Sequence, residues 1–352
     1  MNTTSPITSK VIVVVGATGH QGSSVVRTFL ALRPHWHVRA LTRDPTSSTA
    51  RNLAAQGAEV VRADLEGDDA GASLEAAFVG AHAIFLNTDF WAPYRTALAA
   101  GEAQDAASRI GFETEMRHAR NAVTAAAKSA GYIHSYHWDS KAAAASWIAS
   151  SASGVAGKAS YIYVGAYSTN PLVIPHKLKK ENSQQQQQQP GMTTRIGAAA
   201  DDEYEYVMRL PAGRGMRMPV LDIAASTGPF VRCLVEDEPA NTNLLAYDEY
   251  LDVDGLLRAW TEAVSSDDEY WLQPWFVQMD LHEMSRATGL PLEVLEAPPF
   301  VEEFGYMGGV SGGFVEPHQL RNRPGTQAFA VTLKSHGREY LLGAKLPTAA
   351  TI

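Results

Sequence analysis

Residues 11–15 (VIVVV) form an unbroken run of β-branched residues, and at Gly16 the run breaks into glycines and then into helical spacing up to residue 29. A short apolar run without polar alternation predicts a strand buried on both faces. The pattern repeats with strands predicted at residues 37–42 (HVRALT), 58–63 (AEVVRA) and 81–86, and helices at 46–56 and 73–78. Strands alternating with helices at this period predict an α/β fold with a doubly wound parallel sheet. Residues 88–109 read as loop with some helical pattern. Residues 113–130 follow as an amphipathic helix, with Ala119, Val123, Ala126 and Ala127 at helical spacing and Gly131 at its end. A fifth strand is expected next, but the sequence runs straight into YIHSYHWDSK. That strand is therefore either compressed into residues 132–136 or missing, and its loss would leave Val15 and its neighbours short of a pairing partner. Residues 160–164 (SYIYV) are the next buried strand.

Beyond residue 170 the pattern changes. Residues 171–190 are polar and carry six consecutive glutamines, which predicts a disordered surface insertion extending to residue 200. The later chain predicts a strand at EYVMRL, a segment at 219–222, and a helix at 223–236 capped by Asp222. A strand at 243–250 and a helix at 252–264 capped by Asp252 follow. In that helix Leu256, Leu257, Trp260 and Val264 form an apolar stripe suited to a core. A helix at 279–288 ends at Gly289, and LEVLEA reads as a strand. The expected organisation is a flexible start (1–9), a dinucleotide-binding domain (10–170), the polyglutamine insertion (171–200), a smaller substrate-side domain (201–307) and an unassigned tail (308–352).

The first turn carries the candidate chemistry. Gly16, Gly19 and Gly22 follow the strand directly and open the helix. Gly16 suits a sharp turn, Gly19 lets backbone N–H groups approach a pyrophosphate, and Gly22 removes a Cβ between helix and strand. The helix N-terminus then favours a bound anion. Arg43, at the end of the second strand, suits the 2′-phosphate of NADP, whereas Asp44 beside it suits a ribose hydroxyl, and the residues leave both open. Asp64 at the end of the third strand suits the adenine amino group or the cap of a turn. Asn87 and Thr88, followed by Phe90 and Trp91, suit the nicotinamide ribose and a substrate cleft.

Charge and composition narrow the partners. The net charge of −9 and the lack of any basic run longer than KLKK argue against direct binding to nucleic acid. No apolar stretch is long enough for a signal peptide core or a membrane span, so the expectation is a cytosolic or nuclear protein with no membrane partner. The single Cys233 excludes an internal disulfide, and His282, His318 and His336 lack the spacing of metal ligands.

VVVGATGHQGSSVV, VRALTRDP, the Asp64-Leu65 pair, FLNTDFW and YHWDSKAAAASWI together resemble the NmrA-like family, atypical short-chain dehydrogenase/reductases abundant in fungi. The resemblance covers roughly the first 170 residues, and more loosely the chain to about residue 260. It implies a Rossmann domain binding NADP(H), in either an oxidoreductase of a small organic substrate or a redox-sensing regulator of a protein partner. By position it implies Gly16, Thr18, Gly19, Gln21 and Gly22 at the pyrophosphate, Arg43 at the 2′-phosphate, and Asp64 and Leu65 at the adenine. Asn87 and Thr88 fall on the nicotinamide side, with Tyr167 and Asn170 as substrate-side contacts in a turn over the same half. Lys141 takes the place of the reductase lysine. The reductase tyrosine, four residues earlier, is replaced by His137, a possible proton donor with an ordinary pKa near ~6.5. Three readings follow: an NADP-dependent oxidoreductase, a catalytically silent NADP-binding regulator, or a remnant whose central sheet is damaged.

Overall fold

The computed structural model describes residues 9–67, 69–127, 132–134, 138–150, 155–179, 204–265, 272–310 and 312–345. In chain order the first elements are β1 (Lys10–Val15), α1 (His20–Leu30), β2 (Trp36–Thr42), α2 (Ser48–Ala55), β3 (Glu59–Arg62), α3 (Ala70–Phe78), β4 (Ala83–Leu86), α4 (Trp91–Ala99) and α5 (Gln104–Ala127). Next come β5 (Tyr132–His134), α6 (Trp138–Ser150), β6 (Tyr161–Val164), β7 (Ala166–Tyr167), β8 (His176–Lys179), β9 (Tyr204–Leu210), β10 (Arg217–Leu221), α7 (Thr227–Glu236) and β11 (Asn243–Ala246). The last are β12 (Glu249–Asp252), α8 (Val253–Val264), β13 (Trp275–Gln278), α9 (Leu281–Thr288), α10 (Leu292–Leu295), α11 (Ala297–Phe304), α12 (Phe329–His336) and α13 (Arg338–Gly343).

Two compact units result. The first contains the described residues of Met1–Val164, Ile223–Ala246 and Gly312–Gly325, and the second those of Gly165–Asp222, Tyr247–Ser311 and Thr326–Ile352. This differs from the contiguous partition at residues 170, 200 and 307 expected from the sequence.

The first unit is a Rossmann-type doubly wound parallel sheet in the order β3-β2-β1-β4-β5. Alternate side chains of the central strands serve opposite faces. Val13, Val15, Ile84 and Leu86 pack with Leu74 and Phe78 of α3, Ala122, Val123 and Ala126 of α5, and Ile148 of α6. Ile12, Val14 and Phe85, buried from the other face, lie on the side of α1, which packs against α7. There the Gly228 N–H donates to Ser24 Oγ at 3.0 Å. A further parallel pair, β6 with β11, belongs to the same unit, and Val315 bridges to Leu244.

The fifth strand, expected to be compressed or missing, is present but short. Tyr132, Ile133 and His134 pair with Ala83, Ile84 and Phe85, while Val15 pairs with Leu86 of β4. β1 thus has neighbours on both sides. The segment expected as loop with some helical pattern over 88–109 contains α4 and the start of α5, and Asp89 Oδ1 accepts from the backbone N–H groups of Trp91 (2.9 Å) and Ala92 (3.2 Å) in the first turn of α4. Residues 171–179, expected to belong to the insertion, contain regular structure. Pro171–Val173 form a 3-10 turn, and β8 pairs antiparallel with β9. The glutamine run lies outside the described residues.

In the second unit, sheets β12-β10-β7 and β13-β9-β8 and helices α8–α13 surround a core that includes Met208, Leu210, Val220, Leu256, Trp260, Leu295 and Leu333. Asp252 caps α8 as expected, accepting from the Gly255 N–H at 2.6 Å, and the stripe Leu256, Leu257, Trp260 and Val264 is buried. Three other expectations are corrected. The helix expected at 223–236 starts at Thr227 after Ser226. Its N-cap position is Ser226 and not Asp222, whose N–H donates to Asp248 Oδ2 at 2.7 Å. The strand expected at 243–250 divides at Tyr247, its first half pairing parallel with β6 and its second antiparallel with β10. LEVLEA is helical at Leu292–Leu295 as α10, with Leu295 buried in the core and Val294 packed against it. The tail left unassigned supplies Val315, α12 and α13.

The turn after β1 depends on two glycines. Gly16 has φ +75°, a conformation that L side chains rarely adopt. A Cβ on Gly22 would overlap the Gly16 carbonyl, lying 2.7 Å from its carbon and 2.8 Å from Ala17 Cα. These are backbone atoms and cannot yield. Gly22→Ala should therefore cost about 1–3 kcal/mol in chemical denaturation; an unchanged midpoint would show that α1 can move off the strand.

His176 on β8 is 1 % exposed, and burial pushes its pKa from 6.5 down to about 4. A histidine neutral when folded but protonated when unfolded makes stability fall as pH drops from about 6.5 to about 4, by up to about 3 kcal/mol. Urea midpoints between pH 7 and pH 4 should fall more steeply for the wild type than for His176→Leu. Parallel curves would remove this histidine as the cause.

Candidate functional site

Because β1 to β4 run parallel, their carboxyl ends share one edge of the sheet. The chain runs outward from β1 to β3 and returns to β4, so β1 and β4 flank the topological switch point where open α/β sheets bind ligands. The residues leaving these ends are those singled out by sequence: Gly16, Arg43, Asp64 with Leu65, and Asn87 with Thr88.

Gly19 is the N-cap of α1 in extended conformation, no side chain caps the helix, and its first turn holds no acidic residue. The first N–H groups of a helix have no intrahelical acceptor, so this terminus suits an anion. Gly19 spends its own N–H on the Gly16 carbonyl (3.0 Å). Thr18 is exposed beside it, whereas Gln21 is buried.

At the end of β2, Asp44 Oδ1 accepts from the N–H of Thr46 (2.8 Å) and from its hydroxyl (2.5 Å). These bonds hold the carboxyl below its usual range, with a smaller contribution from Arg51. Asp44 is thus a turn-forming group. Arg43 is exposed, with no hydrogen bond or ion pair among the described residues. At the end of β3, Asp64 Oδ1 accepts from the Glu66 N–H (3.1 Å), which shapes that turn, and the Leu65 carbonyl accepts from Asn121 Nδ2 (2.8 Å).

The end of β4 touches the glycine turn: a Cβ on Gly16 would meet the Asn87 carbonyl oxygen at 3.2 Å. One residue on, Thr88 is part of a closed polar network. Lys141, 5 % exposed, donates from Nζ to the Thr88 carbonyl (2.8 Å) and to Thr88 Oγ1 (3.0 Å). Its third donor goes to Glu115 Oε1, which also accepts from the Thr88 hydroxyl at 2.7 Å. Glu115 Oε2 accepts from the Ser140 hydroxyl. Every proton of the ammonium has a protein acceptor. Burial lowers the Lys141 pKa; the Glu115 charge and hydrogen bond, and then Asp89, oppose it.

Sequence reasoning placed Thr88 and Lys141 here but missed Glu115 and Ser140. Glu115 had a signal: it shares a helical face with Ala119, Ala122 and Ala126, all buried, so a carboxylate interrupts an apolar stripe. Phe90 and Trp91, expected to line a cleft, pack with Tyr94 into an aromatic cluster, with ring centroids 5.2–5.7 Å apart. Tyr167 and Asn170 belong to the second unit. There Tyr167 pairs with Leu221, and Asn170 caps the 3-10 turn by accepting from the Leu172 N–H at 2.9 Å. Ser135, Tyr136 and His137 lie outside the described residues. Cys233 is buried, its thiol donating to the Asn322 carbonyl at 2.8 Å, and burial pushes its pKa up to about 11. No group of three or more His, Cys, Asp or Glu among the described residues is placed to hold a metal ion, and no described helix is long and apolar enough to cross a membrane.

An NmrA-like family domain-containing oxidoreductase of Penicillium ochrochloron is 44% identical over 91 residues, 24% of this chain and 26% of its own. One of Aspergillus hancockii is 48% identical over 82 residues, 23% of each chain. The chain thus spans about a quarter of the length of the curated relatives it matches. Among solved structures, NmrA, a negative transcriptional regulator, in complex with NADP has TM-score 0.54 at 19% identity, over 95% of this chain and 94% of that one. Leucoanthocyanidin reductase of Vitis vinifera with NADPH has TM-score 0.62 at 13% identity, over 93% and 99%. At these identities the likeness is one of fold. The profile of the NmrA-like family matches residues 8–298, and the chain belongs to that family.

Proposed function

We propose that the protein is an NADP(H)-dependent oxidoreductase acting on a small organic substrate in fungal secondary metabolism. The observation that carries this reading is the uncapped, acid-free start of α1 on the same sheet edge as Arg43, whose charge has no partner among the described residues. These are the groups a dinucleotide with a 2′-phosphate needs. Support comes from the NADP and NADPH complexes of the two structural neighbours and from the names of the fungal relatives.

When bound, the nicotinamide supplies a hydride to an electrophilic substrate atom. The chain's part is to bind the cofactor and orient it. The turn Gly16–Gly22, with Thr18 and Gln21, holds the pyrophosphate; Arg43 holds the 2′-phosphate; Asp64 and Leu65 flank the adenine. Asn87 and Thr88 border the nicotinamide side, and Lys141, seated on Thr88, places a positive charge there. Its three donors are engaged, so contact with a ribose or substrate hydroxyl requires one of them to exchange partners.

That closed network, and the absence of tyrosine four residues before Lys141, favour a second reading. In it the protein is an NADP-binding regulator whose cofactor occupancy shifts its affinity for a protein partner; NmrA, a negative transcriptional regulator in complex with NADP, supports this reading.

Calorimetric titration with NADPH, NADP+, NADH and NAD+ tests both. Strong preference for NADPH supports the reductase, equal affinity for NADPH and NADP+ supports the regulator, and no binding defeats both. Arg43→Ala should weaken NADPH by about tenfold or more and leave NADH nearly unchanged, since a charge-assisted bond is worth about 1.5–3 kcal/mol; equal losses would free Arg43 of the 2′-phosphate. Lys141→Ala should abolish turnover in a reductase assay, and retained turnover would remove it from the mechanism.

A further inference from the structure

Glu115 lies midway along α5 and is 0 % exposed. A carboxylate so placed is costly unless it is paired and hydrogen-bonded. It is both: Lys141 and Thr88 occupy one oxygen and Ser140 the other. Stability alone gives weak reason for such a pair, because replacing a buried ion pair by apolar residues of similar volume is often neutral or stabilising. Its effect on Lys141 is more specific. Burial drives the ammonium toward the neutral amine, and a carboxylate in contact opposes that drive. Among the described residues the charged groups acting on Lys141 are Glu115, from α5, and Asp89, from the segment after β4. Thr88 and Ser140, the other contacts, are neutral.

We propose that Glu115 is a positioning residue for Lys141: it seats Nζ against the Thr88 carbonyl, one residue from the Asn87 contact with the glycine turn, and holds the proton on it. The inference rests on reading Lys141 as the lysine on the cofactor's nicotinamide side. Glu115 touches neither cofactor nor substrate in this scheme and acts through Lys141 alone. Thr88 relays its position, since the residue that receives the ammonium also follows directly on the contact between β4 and the turn after β1.

The test is an NMR titration of the full chain carrying 13C at lysine Cε, with the Lys141 signal assigned by its loss in Lys141→Arg. In Glu115→Gln the Lys141 midpoint should fall by about 2 pH units relative to wild type. Glu115→Asp, which retains the charge, should restore most of the difference. Identical midpoints in wild type and Glu115→Gln would overturn the proposal. If Glu115→Gln does not fold, Glu115→Asp supplies the same comparison through a smaller downward shift, and an unchanged midpoint overturns the proposal equally. A double-mutant cycle on NADPH affinity adds a second readout. Glu115→Gln should weaken binding in the wild-type background and change it less than about twofold in Lys141→Met. Equal losses in both backgrounds would mean that Glu115 acts independently of the lysine. Failure of the wild type to bind NADPH would defeat the functional reading while leaving the lysine titration as a test of the pair.

Discussion

The backbone of α1 meets the end of β1 more closely than any side chain allows, and the organisation of the first unit follows from that approach. Gly22 lets the first turn of the helix lie on the Gly16 carbonyl, and Gly16, with its positive φ, lets the strand turn into it. The helix axis is thereby set across the strand end, and its unpaired N–H groups lie at the sheet edge. Because β1 is central, with β2 on one side and β4 on the other, every other carboxyl end is placed relative to this turn. Arg43, Asp64 and Asn87 come to one edge through parallel pairing, although neighbours among them are 21 or more positions apart in the chain.

The same edge contains a charge pair buried against the sheet, Lys141 with Glu115. A lysine and a glutamate out of water are a poor source of stability, and their hydrogen bonds must be complete for the fold to tolerate them. They are complete, through a threonine hydroxyl, a backbone carbonyl and a serine. Completeness cuts both ways. It fixes the lysine at one spot, and it leaves the ammonium no spare donor until a partner is exchanged. A site of this kind suits precise placement of charge better than free proton traffic, which accords with a chain that lacks the reductase tyrosine.

The second unit shows how a chain can be divided without respecting sequence order. Residues 223–246 return to the first unit, where α7 packs on α1 at Gly228, before the chain re-enters the second through β12. The break inside the expected strand at 243–250 is where this crossing occurs. One apolar run serves two sheets, and Tyr247 marks the passage between them. Nothing in local hydrophobicity distinguishes one strand from two that happen to be consecutive.

The sequence by itself determined the strand–helix repeat, the glycine turn, the four strand ends that line the edge, and the apolar stripe of α8. These depend on local steric rules and on the period of apolar positions, which are written in consecutive residues. Boundaries were less legible: α4 begins where Asp89 receives the N–H groups of Trp91 and Ala92, and α10 seats Leu295 in the core. Only the tertiary structure decided that a three-residue β5 suffices, because pairing with β4 requires a partner in space and not a long apolar run. Only it joined Glu115 to Lys141, 26 residues apart. A carboxylate on an apolar helix face reads as an anomaly until the ion that neutralises it is seen, and which ion that is depends on how two helices pack.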